Sequence, residues 1–176
     1  MPTDAEYLKS LIRSVPDFPG PGILFRDITT LLKEAGGLGR AVDAMLGCFA
    51  GTEVDLIAGV ESRGFILAAP MALRLGCGLV LIRKPGKLPA ATLSQEYQLE
   101  YGRDAVEVHR DAIRPGQRVL LVDDVLATGG TMAAALQLVA GLSGTVAGIG
   151  FLIELPGLKG REKLGDHRVE SVIQYA

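Results

Sequence analysis

Residues 119–131 read Val-Leu-Leu-Val-Asp-Asp-Val-Leu-Ala-Thr-Gly-Gly-Thr. Four apolar residues without alternation predict a strand buried on both faces. Asp123 and Asp124 stand where that strand is expected to end. A small, hydroxyl-bearing, glycine-rich turn follows, and an apolar-periodic helix begins at Gly130. Gly129 and Gly130 let the backbone turn sharply and approach a ligand. Thr128 and Thr131 offer hydroxyl donors. The first free N–H groups of the helix point at the same spot, and the helix dipole favours an anion there. A phosphate monoester is held this way without a lysine. No Gly-Lys-Ser/Thr follows the turn and no Gly-x-Gly-x-x-Gly is present, which argues against nucleoside triphosphates and dinucleotides. A plain reading also exists, in which Gly-Gly only makes a tight turn and both acids are solvated. Two acids and two threonines together favour a site.

Working outward, apolar strands alternate with helical patterns. Strands are expected at Asp55 to Val60, Leu79 to Ile82, Val119 to Val122, Val146 to Ile153 and Val169 to Ile173. Helices are expected at Ala5 to Ser14, Leu38 to Phe49, Gly64 to Leu75, Gly130 to Leu142 and Leu158 to Leu164. The prolines at 16, 19 and 21 predict an extended loop, with Ile23-Leu24-Phe25 as an apolar island in it. The pattern implies an α/β fold with a central, mostly parallel sheet flanked by helices. Residues 83–109 break it: Glu96 to Tyr101 and Ala105 to His109 alternate around Gly102-Arg103-Asp104, as an antiparallel hairpin does. An insertion after a parallel strand lies on the ligand side of such a sheet, so this hairpin reads as a lid.

Composition bounds the rest. The 176 residues fit one domain, 1–176, that can bury a core. Apolar residues make up 48% and charged residues 22%, and the net charge is −2. No global basic field invites nucleic acid. No apolar run is long enough for a membrane span, and the N-terminus does not read as a signal peptide. Cys48 and Cys77 lie in apolar surroundings without metal spacing, so a core role and a reducing, cytoplasmic setting are expected. His109 and His167 have no nucleophile or metal partner in sequence.

Three further segments carry chemistry. Gly59-Val60-Glu61-Ser62-Arg63-Gly64 also stands at a strand end before a helix, and its N–H groups with Arg63 suit a second anion. Two anion cradles on neighbouring strands suit a ligand with two separate phosphate groups. Arg83-Lys84-Pro85-Gly86-Lys87 brings three cations to a strand end, either against that anion or as a solvated basic loop. Asp17 to Ile28 is a proline-fixed loop presenting Leu24 and Phe25, where an aromatic either stacks on a flat base or plugs the core.

The string at 119–131 resembles, without a gap, the phosphoribosyl pyrophosphate (PRPP) motif of the type I phosphoribosyltransferases. The resemblance implies that Asp123 and Asp124 contact the ribose hydroxyls and that Ala127, Thr128, Gly129, Gly130 and Thr131 hold the 5′-phosphate. It implies that Ser62, Arg63, Arg83, Lys84 and Lys87 receive pyrophosphate, on a loop that often contains a non-proline cis peptide. The segments Arg83–Pro89 and Glu96–Gly102 resemble, within that family, the adenine phosphoribosyltransferases. There the segment is a hood over the active site, and Glu100 and Tyr101, with Arg63, match positions implicated in catalysis. The Asp17–Ile28 segment resembles the adenine-binding segment. Backbone groups of Leu24 and Arg26 would read the base, Phe25 would pack on its ring, and Leu155 would line the pocket. A C=O beside an N–H matches adenine's amine and ring nitrogen, whereas a 6-oxopurine leaves buried groups unpaired at about 1–3 kcal/mol each. The implied reaction is transfer of 5-phosphoribosyl from PRPP to N9 of adenine, giving AMP and pyrophosphate. Mg²⁺ is expected on ligand oxygens and water without a direct protein ligand. A homodimer is implied by the resemblance alone. Two alternatives stay open: a transferase of the same fold using another base, and a non-catalytic PRPP or purine sensor.

Overall fold

A computed structural model describes residues 3–98 and 102–175. Its central sheet has five strands in the order β4-β3-β7-β8-β9, all parallel. They are β3 (Leu56–Val60), β4 (Gly78–Ile82), β7 (Arg118–Leu126), β8 (Thr145–Glu154) and β9 (Val169–Gln174). Val119, Leu120, Leu121 and Val122 are completely buried, as the unbroken apolar run predicts. Their alternation splits them between two cores. Val119 and Leu121 face one side, and Leu120 and Val122 face the other.

Helices cover both faces. On one side lies α5 (Gly130–Gly141), with Met132, Ala135, Leu136 and Val139 buried. On the other lie α1 (Asp4–Leu11), α2 (Thr29–Lys33), α3 (Gly37–Gly47) and α4 (Arg63–Leu75). They bury Leu8, Leu31, Val42, Met45, Leu67 and Met71. Fully burying each large aliphatic contributes about 1.5–3 kcal/mol, so the two apolar faces drive the layering. The α/β class and parallel sheet expected from sequence are therefore those observed.

Four expectations need correction. β7 does not stop at Val122; it runs to Leu126, because β8 offers pairing partners from Asp123↔Phe151 to Leu126↔Glu154. The proline-rich loop contains an antiparallel pair, β1 (Arg13–Pro16) with β2 (Leu24–Asp27), in register from Arg13↔Asp27 to Pro16↔Leu24. Arg13 donates to the Asp27 carboxylate, and the Thr29 N–H donates to Asp27 Oδ1 at 2.9 Å, so one acid fixes the end of the pair. The expected 158–164 helix is two short 3₁₀ turns, Pro156–Leu158 and Gly160–Lys163, separated by Lys159 at φ 54°. Cys48 and Cys77 are free and only part-buried at the margin of the second core.

The hairpin is present as β5 (Thr92–Gln98) paired antiparallel with β6 (Arg103–His109). It is not a loose flap. Val106 and Val108 are buried in the α5-side core. Arg83 exchanges backbone hydrogen bonds with Glu107 at 2.9 and 2.7 Å, tying β6 to the end of β4.

Candidate active site

β3 and β7 pair in parallel from Leu56↔Val119 to Gly59↔Val122, so their carboxyl ends lie side by side. β3 runs into α4 through Glu61 and Ser62, and β7 runs into α5 through Ala127–Gly129. No side chain caps either helix. The first N–H groups of both are thus left for a ligand, each reinforced by a helix dipole. The two cradles expected from sequence are neighbours in space.

The acids lie between them. A cavity of about 230 Å³ is lined by Glu61, Ser62, Arg63, Asp123 and Asp124. A second, of about 80 Å³, is lined by Asp123, by the turn from Ala127 to Thr131, and by Phe151. Asp123 borders both. The Glu61–Ser62 peptide is cis, as the resemblance implies. Arg63 Nε lies 2.6 Å from Asp124 Oδ2. Its N–H is not aimed at that oxygen, which is buried without a hydrogen bond. The Asp124 N–H donates to Asp123 Oδ1 at 2.8 Å.

Burial pushes the Asp123 carboxyl well above the ordinary carboxylate range, and the neighbouring Asp124 charge adds to the rise. Burial also raises Asp124, against the lowering effect of Arg63. Two enclosed acids side by side resist carrying two charges. Hydroxyl donors or a cation would relieve them.

The turn from Ala127 to Gly130 is held from behind. Gly129 sits at φ 76°, and a Cβ there would lie 2.3 Å from the Gly160 carbonyl oxygen. A Cβ on Gly160 would lie 2.3 Å from the Ala127 carbonyl oxygen. Both close approaches require glycine. On the open side, the Tyr97 ring reaches within 3.3 Å of where a Cβ on Gly130 would be.

The basic segment is placed differently from a simple cluster on the anion. Among the described residues, Arg83, Lys84 and Lys87 do not line the larger cavity. Arg83 Nε and Nη2 each donate to Glu61 at 3.2 Å, and the Lys84 N–H donates to Glu61 Oε2 at 2.9 Å. The Lys84 ammonium pairs with Asp104 and donates to the Tyr97 hydroxyl at 2.8 Å. Burial alone would lower the Lys84 pKa, but Asp104 and Tyr97 outweigh it and the net shift is upward. Lys87 is exposed at the turn, and its carbonyl accepts from Arg83 Nη1 at 3.2 Å. Glu100 and Tyr101 lie outside the described residues.

On β2, Phe25 meets the Arg63 guanidinium at 5.0 Å and the Phe18 ring edge-on at 5.1 Å. This carries the β2 strand up to the larger cavity. Arg26 stacks on the Tyr175 ring at 3.8 Å and donates to Ser14. Leu24 is 46% exposed and lines neither cavity. Leu155 follows β8, its N–H donating to the Leu126 carbonyl at 2.9 Å.

Sequence reasoning missed Glu61, Tyr97, Asp104 and Glu154. Glu61 and Asp104 are acids whose importance comes from the cations they meet, which no local pattern shows. Glu154 carried one signal, a carboxylate closing a long apolar strand.

The phosphoribosyl transferase domain family model matches residues 31–175. The chain is 56% identical over 168 residues to an adenine phosphoribosyltransferase of Acaryochloris marina, covering 96% of this chain and 99% of that one. Among solved structures, the adenine phosphoribosyltransferase of Thermoanaerobacter pseudethanolicus superposes with a TM-score of 0.95 at 51% identity, over 97% of this chain and 99% of that one. The Saccharomyces cerevisiae enzyme, solved with adenine and an imino-altritol bisphosphate, superposes with a TM-score of 0.91 at 39% identity, over 96% and 98%.

Proposed function

The chain belongs to the adenine phosphoribosyltransferases of the phosphoribosyl transferase domain family, and on that premise we infer how its cleft transfers 5-phosphoribosyl from PRPP to N9 of adenine, giving AMP and pyrophosphate. The observation that carries this reading is the pair of uncapped helix N-termini with Asp123 and Asp124 between them. One cradle takes the 5′-phosphate on the N–H and hydroxyl groups of Ala127 to Thr131. The other takes pyrophosphate on Ser62 and Arg63. The acids accept the ribose hydroxyls, which lie between the two phosphate ends of PRPP.

Displacement at the anomeric carbon builds oxocarbenium character on the ribose and negative charge on the leaving pyrophosphate. Arg63 answers that charge directly, while Arg83, Lys84 and Lys87 answer it from the cleft edge. Each well-placed donor contributes about 3–4 kcal/mol to such a transition state. Adenine lies against Phe25 and Leu155, its edge read by the backbone of Leu24 and Arg26. The hood, with Glu100 and Tyr101, excludes water that would hydrolyse PRPP. As N9 bonds to the anomeric carbon, the Glu100 carboxylate accepts the ring N–H proton that adenine loses.

Mg²⁺ is the cofactor of this reading. Among the described residues no group of three or more His, Cys, Asp or Glu side chains forms a metal cage. Asp124 Oδ2, ion-paired with Arg63 but without a hydrogen bond, and its neighbour Asp123 supply hard acceptors that would meet the ion through its waters, which fits an ion held mainly by PRPP and water. When bound, the ion neutralises pyrophosphate oxygens. No described helix is long and apolar enough to cross a membrane. We place the protein in the cytoplasm as a homodimer with small-molecule partners: adenine, PRPP, AMP and pyrophosphate.

The test is turnover of adenine, hypoxanthine, guanine, uracil and orotate with PRPP and Mg²⁺. AMP and pyrophosphate should form with adenine in strong preference. Equal use of hypoxanthine would overturn the base assignment. Absence of pyrophosphate with every base would support a sensor instead.

A further inference from the structure

Glu154 is the last residue of β8 and is 4% exposed. It stands in register between Leu126 of β7 and Gln174 of β9. Its carboxylate is saturated. Arg161 Nε donates to Oε1 at 2.6 Å and Nη2 to Oε2 at 2.7 Å, a fork-to-fork pair. Ser171 Oγ and Gln174 Nε2 add bonds to Oε2 at 2.5 and 3.2 Å. Arg161 Nη1 continues to the Val169 carbonyl at 2.7 Å. Neither Glu154 nor Arg161 lines the two cavities of the site.

What the pair holds are the two halves of the site. Toward the base, Glu154 is followed directly by Leu155. Its backbone carbonyl accepts from the Tyr175 N–H at 3.1 Å, and the Tyr175 ring stacks on Arg26 of the base-reading strand. Toward the phosphate, Arg161 is preceded by Gly160, whose backbone presses on Ala127 and Gly129 with no room for a Cβ on either side. One ion pair therefore bears on both ends of a nucleotide's binding site. A bidentate guanidinium fixes direction as well as distance, which a lysine ammonium does not.

We propose that Glu154 and Arg161 are positioning residues that set the spacing between the base pocket and the phosphate turn. This rests on the reading of the cleft as an AMP-forming site. A ligand that spans both halves must feel the spacing, and a ligand confined to one half must not. AMP spans both, whereas ribose 5-phosphate uses the phosphate half.

The test uses Arg161→Lys, which keeps the charge but loses the fork, and the double variant Glu154→Gln/Arg161→Met, which leaves no lone buried charge. AMP and ribose 5-phosphate affinities are measured by calorimetry on the full chain, with the melting temperature and the separate kcat and KM values. AMP should weaken by about tenfold or more and kcat should fall by a similar factor, because small misplacements of reacting groups are costly. Ribose 5-phosphate affinity and the KM for PRPP should stay within about threefold, as expected if the phosphate turn itself is intact. An equal loss for both ligands in both variants, or no loss of AMP in either, overturns the proposal. Wild-type protein is the control for the underlying reading: if it neither binds AMP nor turns over adenine, the site assignment fails first.

Discussion

Arg63 and Asp124 form an ion pair in the lining of the larger cavity, with Nε 2.6 Å from Oδ2 and the Asp124 side chain only 5% exposed. The cation assigned to pyrophosphate thus rests on an acid assigned to ribose. Each group neutralises the other's charge in the free protein.

The pair makes the two single variants distinguishable. Asp124→Ala should raise the KM for PRPP by about tenfold or more, since it removes a charged hydrogen-bond acceptor worth about 1.5–3 kcal/mol. Arg63→Ala should act mainly on kcat, lowering it by about a hundredfold, because leaving-group charge develops in the transition state. Steady-state kinetics with varied PRPP checks both. An unchanged KM in Asp124→Ala removes the ribose assignment.

The raised carboxyls predict a pH dependence of opposite sign for binding and for stability. Asp123 and Asp124 both have pKa values raised by burial. Their stabilising contribution in the free protein is full below the ordinary carboxylate value and is lost as pH rises through the raised ones. Ribose hydroxyls need the ionised acids, so ribose 5-phosphate affinity should rise with pH over the same window. Asp123→Asn should flatten that part of the rise. Calorimetry on wild type and variant from pH 5 to pH 8 isolates it from the phosphate's own titration, for which the second pKa is about 6.

Gly129→Ala should be severe for two reasons. The residue sits at φ 76°, and its Cβ would lie 2.3 Å from the Gly160 carbonyl oxygen. The backbone conformation alone costs about 1–2 kcal/mol for a non-glycine residue. The clash must also displace the turn or the 3₁₀ segment behind it. We expect a lower melting temperature and loss of measurable ribose 5-phosphate binding.

Lys84 is tied to Asp104 and Tyr97 of the hairpin. Asp104→Asn removes the charge that holds both Lys84 and the Tyr97 hydroxyl, so it should loosen the hairpin where the Tyr97 ring meets Gly130. The expected result is faster PRPP hydrolysis in the absence of adenine, because water is less well excluded. Phosphate and pyrophosphate release assays separate hydrolysis from transfer.

Asp27 carries an acid-stability prediction. The Arg13 side-chain hydrogen bond, with those from Thr29, lowers its carboxyl to about 2. A lowered acid stabilises the fold above its unfolded value and loses that contribution as pH falls through the folded one. Asp27→Asn should therefore cost about 1 kcal/mol at pH 6, allowing for solvent screening around Arg13, and almost nothing near pH 2. Urea unfolding at the two pH values measures the difference.

Much of this was legible from local patterns. The unbroken Val119–Val122 run sits fully buried, and the alternating residues 96–98 and 105–109 lie in the paired strands of the β5–β6 hairpin. Errors cluster where pairing partners decide. β7 outruns its apolar run because β8 continues beside it, and β1–β2 forms among prolines because Asp27 ties its end to Arg13.

By itself, the sequence determined the parallel sheet, the turn at 127–131 and the adjacent acids, because each follows from chain-local periodicity, glycine freedom and helix dipoles. Tertiary structure alone decided the long-range pairings: Arg63 with Asp124, Arg83 with Glu61, Lys84 with Asp104, and Glu154 with Arg161. The physical reason is that a charged side chain's role depends on which opposite charge the fold brings within a few ångströms. That proximity belongs to strand order and register, and no stretch of residues contains it.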